Sequence, residues 1–105
     1  MLIPASLPPF FRRGASSAVS NTTGSNVTII SAGTNVNGLI IRTLNLMAAG
    51  GGFLTVLIGG NAVFQSYNYN TLFFAGQPFF VPAGLAVEQN GGAGGNVTIT
   101  WDLIP

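Results

Sequence analysis

The sequence predicts an all-β chain, an antiparallel β-sandwich, on three observations. Apolar and β-branched residues gather in short runs, and no amphipathic helical period is sustained for a useful length. Turn residues, glycine above all, separate those runs at short intervals. The run from Asn96 to Leu103 alternates, with Val97, Ile99, Trp101 and Leu103 on one face and Thr98, Thr100 and Asp102 on the other. About eight such strands predict two packed sheets, with a jelly roll as the specific form.

In chain order, residues 1–25 stand apart from the rest. Pro4, Pro8 and Pro9 fix backbone angles and remove donors, which disfavours helix and favours an extended arm. A Ser/Asn/Thr/Gly-rich stretch follows and reads as a flexible connector, so the sandwich domain is expected over 26–105. Leu2, Ile3, Leu7, Phe10 and Phe11 are too apolar for water and need a groove on their own domain or on a neighbour. Arg12 and Arg13 come next. The planar guanidinium fork bonds several acceptors at once, which suits an interface, although a pair of arginines also marks where an arm returns to water. These seven residues form the candidate assembly arm.

Beyond the connector, Val27–Ile30 and 39–46 carry strand composition. In the second of these, simple alternation puts Arg42 on the face of Leu44 and Leu46, so either a bulge intervenes or the face changes from buried to exposed. Phe53–Ile58 and 62–66 flank Gly59-Gly60-Asn61, a hairpin signal because glycine reaches the positive φ of tight turns. A strand at 71–75 ends before Gly76-Gln77-Pro78, and Phe79–Val81 leads into the turn Pro82-Ala83-Gly84, a strand at 85–89 and a glycine-rich loop at 90–95. Asn-Val-Thr-Ile occurs at 26–29 and again at 96–99, which shared strand grammar explains and which is compatible with adjacent first and last strands.

Composition then bounds the chemistry. The 105 residues include no His or Cys, three basic residues that are all arginine, and two carboxylate side chains; charged residues make up 5%, against about 25% in typical domains. Acid/base catalysis draws on His or on paired carboxylates, and a Ser or Thr nucleophile needs a neighbouring base. Glu88 and Asp102 are paired with neither and are expected to act as structural charges near Arg42. Zinc and calcium sites need clustered ligands that the chain does not have. The expectation is therefore a non-enzyme with no cofactor and no metal. A net charge of +1 is too small to hold a phosphate backbone, so nucleic acid is not the expected partner. No run approaches the roughly 18 apolar residues of a membrane span. The first residues lack the basic region of a signal peptide, so synthesis in a cytoplasm is expected. A surface this poor in charge is expected to be covered by neighbours.

Four further features are weighed in the same way. Three Asn-x-Thr sequons, at Asn21, Asn26 and Asn96, are chance matches without a secretory route. The glycine clusters at 50–52 and 91–95 lack the lysine and helix of a phosphate loop and read as loop tips. Trp101 belongs to the apolar face of its strand and is expected in the core. Tyr67-Asn68-Tyr69-Asn70 has the rigid-aromatic, amide-rich composition of a binding loop, which makes Tyr67 and Tyr69 candidate contact residues.

The succession of Val27-Thr28-Ile29-Ile30, Asn37-Gly38-Leu39-Ile40-Ile41-Arg42, Ile58-Gly59-Gly60, Val81-Pro82-Ala83-Gly84-Leu85-Ala86-Val87 and the glycine-rich final hairpin resembles small β-sandwich virion proteins of bacteriophages, of the capsid decoration, penton or head-fibre type. The likeness covers roughly residues 26–103. It implies a structural protein of the virion, made in the host cytoplasm, that forms a homotrimer or a pentamer and attaches by its terminal arm to a major capsid or other virion protein. The low charge departs from that pattern. Two other readings accompany it: a receptor- or carbohydrate-binding module using Tyr67 and Tyr69, and the major coat subunit of a small capsid.

Overall fold

A computed structural model describes residues 13–50, 52–68, 70–75 and 77–105. Of the candidate residues, Leu2, Ile3, Leu7, Phe10, Phe11, Arg12 and Tyr69 lie outside these. The described residues form nine strands: β1 Ser16–Asn21, β2 Val27–Ile30, β3 Leu39–Met47, β4 Phe53–Ile58, β5 Asn61–Tyr67, β6 Thr71–Phe74, β7 Phe79–Val81, β8 Val87–Gly91 and β9 Asn96–Leu103. The first sheet runs β1-β9-β3-β6 with β7 also paired to β3, and the second runs β2-β8-β4-β5. Every pairing is antiparallel. The pairs are nested along the chain: β4 with β5, β3 with β6 and β7, β2 with β8, and β1 with β9. The molecule is an all-β sandwich.

The core lies between the sheets and follows the period-2 rule. The first sheet contributes Leu39, Ile41, Leu44, Leu46, Val97, Ile99 and Trp101, and the second contributes Ile30, Leu54, Val56, Ile58 and Val87. Trp101 is in the core as expected, whereas Leu103, at the end of the same row, is 45% exposed. Phe64, Phe74 and Phe79 pack ring against ring at one margin, with centroids 5.1 to 6.2 Å apart.

Arg42 is accommodated by a bulge. The β3–β9 register slips between Ile41 and Thr43, so the inward positions run 39, 41, 44, 46 and the arginine drops out of the alternation. The other edge of β3 is interrupted at the same level, because β7 pairs with 39–41 and β6 with 44–47. Removing Arg42 altogether leaves Leu39, Ile41, Leu44 and Leu46 in one unbroken alternation. The deletion variant is therefore expected to fold, losing no more than about 3 kcal/mol through the charge left on Asp102. A chemical melt reads this, and an unfolded variant would show that the bulge itself is indispensable.

The Gly59-Gly60 hairpin is present: Ile58 pairs with Asn61, and both glycines have positive φ (59° and 84°), as a type I′ turn requires. Two boundaries and one adjacency differ from expectation. Residues 16–21, read as connector, form β1, because their small side chains hide a strand that is held mainly by main-chain pairing to β9. The first and last strands are indeed neighbours, yet the first is β1; Val27–Ile30 lies in the other sheet, so the two Asn-Val-Thr-Ile copies are not adjacent. The strand expected at 85–89 is displaced to Val87–Gly91. Leu85 and Ala86 instead belong to a turn clasped by the fully buried Asn35, whose Nδ2 donates to the Pro82 carbonyl (2.7 Å) and the Leu85 carbonyl (3.0 Å).

Candidate functional site

With the inward rows assigned, the outward rows of the first sheet follow from the register. One row crosses four strands as Val19, Thr98, Asn45 and Phe73, and the next as Asn21, Asn96, Met47 and Thr71. Towards the other end Thr43 and Thr100 share a hydrogen bond of 2.6 Å, followed by Asp102, Ile40 and Phe80. Val19, Phe73 and Phe80 are more than half exposed and Met47 is 41% exposed. Two of the charges on this face neutralise each other: Arg42 Nε donates to Asp102 Oδ2 at 2.9 Å. Glu88, expected alongside Asp102 near Arg42, lies instead on the outer face of the second sheet, where the Thr28 hydroxyl reaches its Oε2 at 3.5 Å.

The chain enters the sandwich across this outer face. Gly14 N donates to Thr100 Oγ1 at 2.9 Å and Ala15 N to Asp102 Oδ1 at 2.7 Å, so the segment bends out of the β1 ladder and lies on β9. Gly14 is the residue that allows such an approach: a Cβ there would stand 2.3–2.4 Å from the backbone N, C and O of Trp101. The exposed Arg13 donates from Nε to the Gly14 carbonyl at 3.3 Å. It is the arm residue within the described set, and it marks where residues 1–12 join the domain. Sequence reasoning missed Gly14, which looks like an ordinary loop glycine until the partner strand is known.

Tyr67 ends β5 and is 54% exposed, directly opposite Phe53, which is 60% exposed. Their ring centroids are 5.7 Å apart and tilted by 55°. Gly52 and Asn68 complete a shallow cleft of about 240 Å³ with the two rings, and Asn68 N donates to the Gly52 carbonyl at 3.0 Å. Phe53 was read only as part of an apolar strand. Its outward direction follows from the structure, in which Leu54, Val56 and Ile58 take the inward positions. A larger hollow of about 400 Å³ is lined by Met47, Ala48, Ala49, Gly50, Ala93 and Gly94, which offer no ionisable side chain.

Searches against protein-family models, curated proteins and solved structures find no match to this chain. The described residues hold no group of three His, Cys, Asp or Glu and no helix long and apolar enough to cross a membrane. What the surface does offer is two contrasting outer faces. The first sheet presents apolar side chains among threonines and asparagines, and the second presents an aromatic pair among amides.

Proposed function

We propose that this chain is a non-enzymatic structural protein of a virion, a capsid decoration, cement or minor capsid subunit that works as a symmetric homo-oligomer. The observation that carries the reading is the outer face of the first sheet. It exposes Val19, Met47, Phe73 and Phe80 and receives the chain entry at Gly14. Four large apolar side chains, two of them phenylalanines, share one face with threonines and asparagines, a mixture that fits contact with other protein. The nested strand pairing supports a jelly-roll reading, an architecture that viral capsid domains use. Fold alone does not assign function, and the surface is what favours assembly. A homotrimer is the first expectation and a pentamer the second.

In this reading the arm, with Leu2, Ile3, Leu7, Phe10 and Phe11 as apolar anchors and Arg12 and Arg13 behind them, docks on neighbouring capsid subunits. Ordering such an arm costs backbone entropy that its anchors only roughly offset, so attachment rests on several copies acting together. Deletion of residues 1–13 is expected to leave a folded oligomer that no longer joins its particle. Light scattering reports the oligomer, and mass spectrometry of intact particles reports the copy number. Normal occupancy by the truncated chain, or a stable monomer without affinity for any viral particle, would defeat the proposal.

A further inference from the structure

We infer that the outer face of the second sheet binds neutral carbohydrate, with Phe53 and Tyr67 as the stacking platform and Thr55, Gln65 and Asn90 as hydroxyl partners. This goes beyond the assembly role, because it uses the opposite side of the sandwich. The two rings sit together at the open end of the β4–β5 hairpin, each more than half exposed, and neither contributes to the core. The next outward row on the same strands is Thr55 opposite Gln65 on one side and Asn90 on the other. Consecutive outward rows lie about 7 Å apart along a strand. The amides therefore begin one row from the rings, within reach of the hydroxyls of a sugar stacked on them.

The chemistry of that row fits a sugar better than a protein partner. The axial C–H groups of a pyranose form an apolar patch that covers an aromatic ring, while its rim is a set of hydroxyls that both donate and accept. Primary amides answer with both functions on one planar group. Gln65 and Asn90 are exposed, and local hydrogen bonds tie them to neighbouring side chains: Gln65 Nε2 donates to Thr55 Oγ1 at 3.1 Å, and Asn90 Nδ2 donates to Asn26 Oδ1. The backbone at Asn68, in the left-handed region with φ of 56°, closes the cleft beside the rings.

Charge selects the class of sugar. Among the described residues of this face the one charged side chain is Glu88, two rows from the rings. Both described arginines, Arg13 and Arg42, belong to the other face. A sialylated or sulfated glycan would find no cation here, whereas a neutral hexose or N-acetylhexosamine chain meets no penalty.

The full chain, fluorescently labelled, is applied to an array carrying neutral gluco-, galacto-, manno- and N-acetylglucosamine oligosaccharides of four to six units beside sialylated and sulfated ones. Binding to members of the neutral set is expected. Phe53→Leu and Tyr67→Leu keep apolar bulk but remove the ring and are expected to lower affinity at least tenfold; Gln65→Ala is expected to lower it at least threefold. Val36→Ala, at an exposed position in the loop between β2 and β3 and outside both faces, leaves it unchanged. Should a hairpin variant fail to fold, amide shift mapping of the unmodified chain with the bound oligosaccharide replaces it, and the perturbed amides are expected around residues 53, 55, 65, 67 and 68. No neutral binding, a preference for the acidic glycans, unchanged affinity in both leucine variants, or shifts centred on the first sheet would each overturn the inference.

Discussion

Replacing Asn35 by alanine lowers the stability of the domain by about 3 kcal/mol, equivalent to a fall in melting temperature of roughly 12–20 °C for a domain of this size. Asn35 is completely buried, and its side-chain amide is the donor to two carbonyls, those of Pro82 and Leu85. Its backbone carbonyl accepts from Gly84 N at 2.7 Å, a bond that the substitution leaves in place. Truncation leaves both partly buried acceptors without this donor, which costs on the order of 1–3 kcal/mol each before relaxation. The damage spreads through Leu85, which packs on the core and lies against Gly59, and through Ala86, whose carbonyl accepts from Gly59 N at 3.0 Å. Aspartate cannot substitute, since it is isosteric but has no donor when ionised. Circular-dichroism melts of Asn35→Ala and Asn35→Asp check this. A loss of under about 1 kcal/mol in both would mean that the turn stands without its clasp.

Replacing Gly14 by alanine produces the opposite profile, with a small change in global stability and a large one in assembly. The added methyl would overlap main-chain atoms of Trp101 in β9, a strand held on both sides by β1 and β3. Backbone in the middle of a sheet yields less readily than a terminal segment, so it is the entry segment that lifts. The hydrogen bonds from Gly14 N to Thr100 and from Ala15 N to Asp102 are then lost, at a net cost of about 2 kcal/mol that is largely local to the entry. Hydrogen exchange is expected to show the amides of residues 14 and 15 unprotected while those of β9 keep their protection. Under the proposed assembly role, the arm then leaves the domain in a different direction and particle attachment falls at least tenfold. Protected amides at 14 and 15 in the alanine variant would show that the contact accommodates a methyl after all.

The strands with strong side-chain grammar were legible in the sequence. β4, β9 and the Gly59-Gly60 hairpin stand where composition and alternation place them, because an apolar inner row dictates the phase of the two strands and the two glycines supply the positive φ of the turn. The ambiguity at Arg42 was legible as an ambiguity, and the register slip resolves it. β1 was not legible. Its sequence, Ser-Ser-Ala-Val-Ser-Asn, has its one large apolar side chain, Val19, pointing outward at 69% exposure, and main-chain pairing leaves no trace in residue type. The same holds for Asn35 and Gln89, two fully buried amides, the first in a loop and the second at what reads as the end of a strand. Gln89 Nε2 donates to Ser20 Oγ and to the Asn21 carbonyl, joining β8 of one sheet to β1 of the other, a contact that depends wholly on tertiary placement.

Of the candidate site, Tyr67 could be read from its polar, aromatic neighbourhood, but its partner Phe53 could not be separated from the apolar strand it begins. The exposed apolar side chains of the first sheet were invisible as a group for a related reason. Val19, Met47, Phe73 and Phe80 come from four different strands, and only their pairing across β9 and β3 brings them onto one surface.

The nesting of the strands has a temporal meaning. β9 lies between β1 and β3, so two strands translated early have their shared neighbour supplied only when residues 96–103 have been made. Until that moment the chain has unpaired edges and an open interior, and closure waits for β9. Such closure of distant segments is slow, on the order of milliseconds to seconds, and it leaves greasy, weakly charged intermediates exposed to one another. High-level synthesis of this protein should therefore favour cool temperatures and holdase chaperones.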